Sequence, residues 1–361
     1  MLDSVLSHLE RLVAFDTRNP PRRIDVGGIF DYLRAQLSGF AIEVTDHGAG
    51  AVSLWAVRGT PRRVFNVHLD TVPDSPGWTG DPFALRVDGE RATGLGACDI
   101  KGAAACLLAA AQCTLGDAAL LFSSDEEAND PRCIRAFLDR DHGCTQAIIA
   151  EPTRCEAVLA HRGISSVQMR FTGRAGHASS ADAMTDSALH QAVRWGGRAL
   201  DFVAARADDS FAGMTGLRLN IGRIEGGIKA NVIAPSAHLR FGFRPLPSHD
   251  VDAMHATLRG FADASALADY EKTFRGPSLP AGAPEQARAR HARARTLADE
   301  LRLPVGAAVD FWTEAALFSQ AGLTAIVYGP GDIAQAHAAD EWVELSQLQA
   351  AATTYRRLLE I

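Results

Sequence analysis

The sequence lacks the features by which membrane, secreted and disulfide-rich proteins are recognised. No apolar run approaches the ~18 residues of a membrane helix, and the first residues contain neither the basic segment nor the apolar core of a leader peptide. The six cysteines are irregularly spaced without a CxxC pair, which is typical of buried thiols in a chain of this length. We therefore expect a cytoplasmic protein without a membrane partner.

An excess of basic residues is also absent. The chain has 36 basic and 43 acidic residues and a net charge of −7, which disfavours binding to nucleic acid or to an anionic membrane surface. A hydrophobic content of 47% with 22% charged residues indicates a globular protein. The length of 361 residues exceeds the ~250–300 that one core usually serves, so we expect two or three domains.

The first part of the chain alternates apolar runs with helical stretches. The runs at 118–123 and 146–150 lack a polar alternation, which is typical of strands that are covered on both faces. This alternation predicts a layered α/β domain with a mixed, largely parallel sheet. The predicted helices are 2–14, 25–39 and 103–112, and the other predicted strands are 41–45, 51–57 and 63–67.

After His161 the pattern changes to strict alternation of apolar and polar residues. Three such segments, 167–171, 217–221 and 239–243, predict an antiparallel sheet with one buried face. Helical stretches at 181–206 and 249–262 complete a β-α-β-β-α pattern. The α/β pattern then resumes with 285–301, 324–328 and 346–359. We therefore predict an α/β domain formed by 1–160 and 271–361, which is interrupted by a smaller α+β, ferredoxin-like domain at 161–270.

Metal-binding and acidic side chains recur at the ends of predicted strands or in the loops that follow them. The carboxyl ends of parallel strands share one edge of a sheet, so these residues should converge. Imidazoles and carboxylates together form a set of N and O ligands suited to zinc, cobalt or manganese. The pattern predicts a two-metal hydrolase. The segments are 64–70, 94–99, 120–127, 148–153 and 334–337.

Six ordered motifs between about residue 60 and the C-terminus resemble the signature set of the M20 metallopeptidase family. The segments Gly94-Leu95-Gly96 and Gly329-Pro330-Gly331 are similar to its acetylornithine deacetylase branch. The resemblance implies a catalytic α/β domain that is interrupted by a lid and dimerisation domain. The motifs are His68-x-Asp70, Gly94-x-Gly96-x-x-Asp99-x-Lys101-Gly102, Asp125-Glu126-Glu127, Glu151-Pro152-Thr153, Gly173-x-x-Gly176-His177 and Gly226-Gly227-x-x-x-Asn231.

The resemblance also implies roles for these residues around two divalent ions, zinc or cobalt. His68 and Glu151 would bind one ion, Glu127 and His337 the other, and Asp99 would bridge both. Asp70 would orient the His68 imidazole by accepting its second N–H. By the same resemblance Glu126 would be the general base. A split of the adjacent Glu126 and Glu127 into base and ligand is what the geometry of a regular strand allows.

The inserted domain carries further candidates. By the resemblance, the protein is a homodimer in which His177 reaches the substrate carbonyl oxygen in the partner's site. Asn231 and Arg244 would bind the substrate α-carboxylate, for which a guanidinium is geometrically suited. A turn asparagine and a surface arginine are the alternative interpretations of these two residues.

The implied reaction is removal of the acetyl group from an N-acetyl-L-amino acid. Whole-chain resemblance favours N-acetyl-L-citrulline, in arginine biosynthesis, over N-acetyl-L-ornithine as the substrate. Succinyl-diaminopimelate desuccinylase and dipeptidase activities are the rivals within the family. The rival from another class is a catalytically silent relative that binds amino-acid derivatives or a protein partner.

Some residues near the motifs have competing interpretations. Cys98 beside Asp99 is either a further ligand or a small packing residue, and Lys101 either assists catalysis or pairs locally. Asp130 departs from the family pattern and adds negative charge near the site. Glu314 is a candidate carboxylate of the substrate pocket. The histidines outside the motifs, His161 and His255 among them, are expected at the surface or on helices.

Overall fold

A computed structural model describes residues 1–360. Among these residues, no helix combines the length and the apolar character needed to cross a membrane. The helices are α1 (Leu2–Val13), α2 (Ile29–Gln36), α3 (Lys101–Gln112), α4 (Arg132–Leu138), α5 (Ala183–Asp186), α6 (Ala188–Ala204), α7 (Val251–Gly260), α8 (Pro284–Glu300), α9 (Ala315–Gln320), α10 (Leu345–Leu359) and the 3-10 turn η1 (Ile333–Gln335). The strands are β1 (Ala41–Asp46), β2 (Val52–Arg58), β3 (Arg63–His68), β4 (Arg86–Asp88), β5 (Arg91–Thr93), β6 (Ala118–Ser123), β7 (Gln146–Ile149), β8 (Ile164–Thr172), β9 (Ser210–Phe211), β10 (Met214–Thr215), β11 (Arg218–Gly226), β12 (Ser236–Arg244), β13 (Leu267–Gly276), β14 (Thr324–Val327) and β15 (Trp342–Glu344).

The chain divides into two compact units. The first contains residues 1–159, 292–306 and the segment from Thr313 onward, and the second contains 160–291 and 307–312. The predicted boundary at residue 270 falls inside β13, which hydrogen-bonds to β8 in the second unit. The sequence pattern did not reveal β13 because two register shifts, at Leu267/Asp269 and Lys272/Phe274, break its alternation.

The first unit is built on a six-stranded sheet with the order β1-β2-β6-β3-β7-β14. Strands β6, β3, β7 and β14 are parallel, and β2 and β1 continue the sheet in antiparallel pairing. All six residues of β6 are buried, as expected of a strand that is covered on both faces. The predicted mixed, largely parallel sheet is therefore confirmed.

Helices cover this sheet because each presents an apolar surface to it. The residues of α3 from Lys101 to Ala111 are all buried, and this helix packs against α1 and α10. Phe65 of β3 meets Tyr355 of α10, whereas Trp55 of β2 meets Phe137 of α4. The result is a layered domain with the carboxyl ends of four parallel strands at one edge.

The second unit is a four-stranded antiparallel sheet with the order β11-β12-β8-β13. Its connectivity, β8-α6-β11-β12-α7-β13, is the ferredoxin-like β-α-β-β-α-β arrangement. Alternate residues of β12 are buried, and Leu239, Phe241 and Phe243 form a core with Trp195 of α6. His255 and His161 are buried in this unit. The expectation that these histidines lie at the surface or on helices is met by His255, which lies on the inner side of α7 beside Ser165 and Tyr270. It was wrong for His161, which is buried outside any helix and forms bridges to Leu279 and Val309.

Candidate metal centre

Four of the five predicted metal ligands lie at the carboxyl edge of the parallel strands in the first unit, and the fifth, Asp99, lies in the loop between β5 and α3. His68 is the last residue of β3, and Glu127 follows β6 by four residues. Glu151 follows β7, while His337 comes after β14 and η1. Because the four strands run in the same direction, their ends deliver these side chains to one place.

The first group of ligand atoms comes from His68, Asp99 and Glu151, and all three side chains are buried. The Nε2 atom of His68 lies 3.2 Å from Oδ1 of Asp99 and 3.9 Å from Oε2 of Glu151. The three ligand atoms lie within 4.8 Å of one another, which is compatible with coordination of one cation.

The second group comes from Asp99, Glu127 and His337. The Nε2 atom of His337 lies 3.3 Å from Oδ2 of Asp99 and 3.1 Å from Oε1 of Glu127. His337 is half-exposed and has a φ of +60°, which is uncommon for a non-glycine residue and recurs at functional sites.

Asp99 belongs to both groups, and its two oxygens face different imidazoles. Oδ1 lies beside His68 and Oδ2 beside His337. A carboxylate placed in this way can bind two cations at once, as predicted for the bridging ligand. The donor set of two imidazoles and three carboxylates therefore fits two divalent ions that accept N and O ligands.

The charges of the site also indicate cation binding. Burial alone would lower the pKa of His68, but hydrogen bonds to Asp70 and Asp99 and the charge of Glu151 outweigh it and raise that pKa well above its usual value. Hydrogen bonds to Asp99 and Glu127 raise the pKa of His337 to about 10. Burial raises the pKa of Glu151 well above the usual range. The site thus holds more negative charge than its own residues neutralise.

Glu126 lies next to this centre, and its carboxylate has no hydrogen-bond partner among residues 1–360. Burial raises its pKa well above the usual range, and the charges of Glu127, Glu314 and Asp70 add to this effect against the opposing effect of His68. A carboxylate with a raised pKa and free oxygens is suited to accept and return a proton.

Asp70 contacts the imidazole of His68 less directly than predicted. The Nδ1 atom of His68 lies 3.0 Å from the main-chain oxygen of Asp70 and 3.5 Å from its Oδ1. The other oxygen, Oδ2, accepts hydrogen bonds from Asn19 Nδ2 and from the main-chain N–H of Glu127. Asp70 therefore connects the His68 strand end to the Glu127 loop.

Two acidic residues that had no assigned catalytic role are buried in the first unit near the site. Glu314 accepts hydrogen bonds from Ser123 Oγ at 3.2 Å and from the side-chain amide of Asn66 at 3.0 Å, so it is held beneath the strand ends. Burial raises the pKa of Asp125 to about 6 although its Oδ2 accepts the Cys133 N–H. Neither residue has a local sequence signal beyond its neighbouring motif.

A third such residue, Glu341, anchors the loop that carries Asp99. Its Oε1 accepts the N–H groups of Cys98 at 2.9 Å and Asp99 at 2.8 Å, and its Oε2 accepts that of Gly96 at 3.1 Å. Burial raises the pKa of Glu341 to about 7. In the sequence it is only the last residue of the closing pattern Gly329-Pro330-Gly331…His337…Asp340-Glu341.

Local contacts are available for the residues with competing interpretations near the motifs. The thiol of Cys98 donates to the main-chain oxygen of Asp332, and burial raises its pKa, so it packs as a neutral group. Lys101 is fully buried and donates to the main-chain oxygen of Phe15. The carboxylate of Asp130 is paired with Arg22 and Arg132, which offsets its charge.

The remaining predicted residues belong to the second unit. His177 is exposed, and its Nδ1 is engaged with Ser179 Oγ at 2.7 Å, which leaves its Nε2 as the outward-facing group. Its loop pairs with the loop of Asn231, whose main-chain oxygen accepts the N–H of Ala178. Arg244 is half-buried, and its guanidinium has no ion pair among residues 1–360.

The second unit brings His177 and Asn231 together but separates them from Arg244. Asn231 precedes β12, and Arg244 is its last residue. A strand of nine residues extends over about 27 Å. Asn231 therefore lies in the loop at one end of β12, and Arg244 lies at the other end of this strand.

The fold and the ligand groups are those of a known class of metal-dependent hydrolases. Residues 64–361 match the family described as Peptidase family M20/M25/M40, and the chain belongs to this family. The chain is 66% identical over 360 residues to an N-acetyl-L-citrulline deacetylase of Xanthomonas campestris pv. campestris, a match that covers 99% of this chain and 98% of that one.

More distant relatives extend the comparison. An acetylornithine deacetylase of Myxococcus xanthus is 29% identical over 370 residues, with 96% of this chain and 94% of the relative covered. The crystal structure of aminopeptidase PepT from Bacillus cereus matches with a TM-score of 0.76 and 17% identity, and it covers 100% of this chain and 98% of that chain. The structural likeness confirms the fold.

Proposed function

We propose that this protein is a metal-dependent amidohydrolase that converts N-acetyl-L-citrulline to L-citrulline and acetate. The observation that carries the chemistry is the pair of ligand groups sharing Asp99, with the unpartnered carboxylate of Glu126 beside them. The substrate follows from the 66% identity to a deacetylase named for it. A cytoplasmic role in arginine biosynthesis is part of this proposal.

Bound at these two groups, a pair of divalent ions would lower the pKa of a water molecule and polarise the amide carbonyl. His68 and Glu151 would hold one ion, Glu127 and His337 would hold the other, and Asp99 would contribute an oxygen to each. Zinc and cobalt are the proposed metals because both accept this mixture of nitrogen and oxygen ligands.

Glu126 moves the proton in the proposed reaction. It takes a proton from the attacking water as the new C–O bond forms at the acetyl carbon. It then returns this proton to the departing nitrogen as the C–N bond breaks, which yields the free amine and acetic acid, and the acid releases the second hydrogen of the water to become acetate. Its freedom from hydrogen bonds leaves both oxygens available for this transfer.

We further propose that the second unit forms a homodimer with another copy. Strand β11 is an edge strand, and Ile224 on it is 44% exposed. Helix α6, which packs against β11, exposes Val193 and Leu200 one above the other. An apolar edge of this kind is usually covered, and pairing with a second copy would cover it.

In this dimer His177 would act on the partner's substrate. Its outward Nε2 can donate to the oxygen that becomes negative in the transition state. Arg244 would bind an α-carboxylate through its unpaired guanidinium. The length of β12 favours a division in which His177 and Asn231 serve one substrate molecule while Arg244 of the same chain serves another.

Mixing two inactive variants tests the arrangement in trans. Hybrids of His177→Ala and Glu126→Gln subunits contain one site in which both residues are intact if His177 acts across the dimer. We expect such hybrids to regain about a quarter to a half of wild-type activity. Hybrids that stay inactive although the subunits exchange would indicate a role within one chain or none.

The choice of substrate is tested by kcat/KM for N-acetyl-L-citrulline and N-acetyl-L-ornithine on the metal-loaded protein. We expect citrulline to be preferred, because a site built to hydrogen-bond a neutral ureido group rejects analogues that cannot form those bonds. A tenfold preference for acetylornithine would overturn the substrate and leave the deacetylase chemistry in place. Absence of bound metal after supplementation would favour a silent binding protein instead.

A further inference from the structure

The anchoring of the Asp99 loop depends on a residue that is remote from it in sequence. Strand β15 pairs antiparallel with β5, and the main-chain oxygen of Glu341, just before β15, accepts the N–H of Gly94. This pairing turns the Glu341 side chain into the loop that links β5 to α3. Glu341 is 2% exposed, and its carboxylate accepts three main-chain N–H groups there.

Those donors include the N–H of Asp99 itself and that of the residue before it. Main-chain N–H groups that converge in this way form a concave anion site, and here the anion is part of the protein. Glu341 accepts hydrogen bonds from the backbone just before Asp99 and from the N–H of Asp99 itself. These bonds fix the loop backbone and so restrict the direction in which the Asp99 side chain points. Glu341 itself contributes no atom to either ligand group.

The same segment also carries His337. Its neighbours are fixed by further contacts, since Ser75 Oγ donates to the main-chain oxygen of His337, and Asp340 accepts from Thr79 and Arg86. Glu341 therefore connects the segment that carries His337 to the loop that carries the shared ligand, Asp99.

We infer that Glu341 is a positioning residue for the two-metal centre. It holds the shared carboxylate of Asp99 in the correct position relative to His337. The inference rests on the proposed metal function. Outer partners of metal ligands typically contribute ~10- to 100-fold to metal affinity. Because Asp99 belongs to both ligand groups, loss of its anchor should weaken both ions rather than one.

The decisive variant is Glu341→Gln. The amide keeps the size of the side chain but replaces one acceptor oxygen with a donor, so at least one of the three loop N–H groups meets another donor. Glu344→Gln is the matched control, because it removes the same charge three residues later at an exposed position.

The measurements are calorimetric titration of the metal-free proteins with Zn²⁺ and the visible absorption spectrum of the Co²⁺-loaded proteins, which reports coordination geometry. For Glu341→Gln we expect affinity for both ions to fall by about 10- to 100-fold, altered Co²⁺ bands, and partial recovery of kcat in excess metal. Glu344→Gln should match the wild type in all three.

Far-ultraviolet circular dichroism establishes that the metal-free variants are folded. If Glu341→Gln does not fold, Glu341→Asp decides, since it keeps both acceptor oxygens on a side chain one methylene shorter and should still shift the Co²⁺ bands. Unchanged affinity and spectrum in the folded variant would overturn the role of Glu341. Failure of the wild type to bind two ions would instead overturn the proposed function.

Discussion

Two buried histidines, one in each unit, respond to burial in opposite ways. His68 and His255 are each 3% exposed. The pKa of His68 is well above its usual value, whereas burial lowers the pKa of His255 to about 4, helped by the charges of Lys272 and Arg275. Burial disfavours the charged imidazole in both places, so the neighbouring groups decide the outcome.

The neighbours of His68 are carboxylates, and those of His255 are hydroxyls. His255 contacts Ser165 Oγ and Tyr270 Oη at 2.9 Å each, and neither contact supplies a negative charge. The same side chain therefore serves as part of a cation site in one unit and as a neutral core residue in the other. A buried histidine indicates a metal site only when acidic side chains without cationic partners surround it.

The largest effect is expected from the two adjacent glutamates of the metal centre. Glu126→Gln should keep both ions but lose about 10²- to 10⁴-fold in kcat, because an amide cannot accept the proton. Glu127→Ala should instead reduce the metal content, since it removes a partner of His337. Steady-state kinetics with metal analysis separates the two. Near-normal kcat in Glu126→Gln would remove this residue from the role of base.

A smaller effect concerns the pH dependence of metal binding. Both ligand histidines have raised pKa values in the metal-free protein, with that of His337 at about 10, so they are protonated at neutral pH and must lose protons to bind. Apparent affinity should therefore rise with pH, about tenfold per unit for each displaced proton.

Titration calorimetry in two buffers that differ in ionisation enthalpy measures this proton release directly. We expect about one proton or more per bound ion at pH 7. The His255→Asn variant should release the same number, because its imidazole is already neutral. Flat affinity between pH 6 and 8 without proton release would contradict the charge balance described for the site.

The smallest effect is on the stability of the metal-free protein. His255 has a folded pKa of about 4, below the ~6.5 of an unfolded histidine, so the unfolded chain binds more protons in this window. Its contribution is fully present above pH 6.5 and is lost as the pH falls toward 4. Between pH 7 and 5 this amounts to about 2 kcal/mol.

Urea unfolding at both pH values, followed by circular dichroism, tests this expectation. His255→Asn should lose less stability on acidification than the wild type. The exposed His238 of the same unit offers the control, and His238→Asn should keep the wild-type pH dependence. Equal losses in all three proteins would show that His255 does not titrate as its surroundings require.

The sequence allowed prediction of those parts whose signals are local. The apolar runs of β6 and β7 predicted the parallel sheet. The motif residues at the ends of these strands predicted the site, because strand direction alone brings such residues together. Strand β13 gave no such signal, since its register shifts remove the alternation. Glu341 received no predicted role, and Glu314 was predicted only as a carboxylate of the substrate pocket, because each acts on a segment more than 190 residues away.

The separation of Asn231 from Arg244 was likewise not evident from the motifs. Asn231 belongs to the last of the six motifs and Arg244 to none, and only the structure places them at opposite ends of β12. Sequence motifs predict which residue types a site uses, whereas the length and direction of the intervening elements determine where those residues lie relative to one another.

The distribution of the ligands along the chain sets an order of assembly. His68, Asp99 and Glu151 all belong to the first half of the polypeptide, whereas His337 lies near its end, as does Glu341. During synthesis, all the residues of one ligand group are therefore present in the nascent chain long before the other group is complete. Until the last strand and its loop join the sheet, the nascent chain contains one full set of ligands and only part of the second.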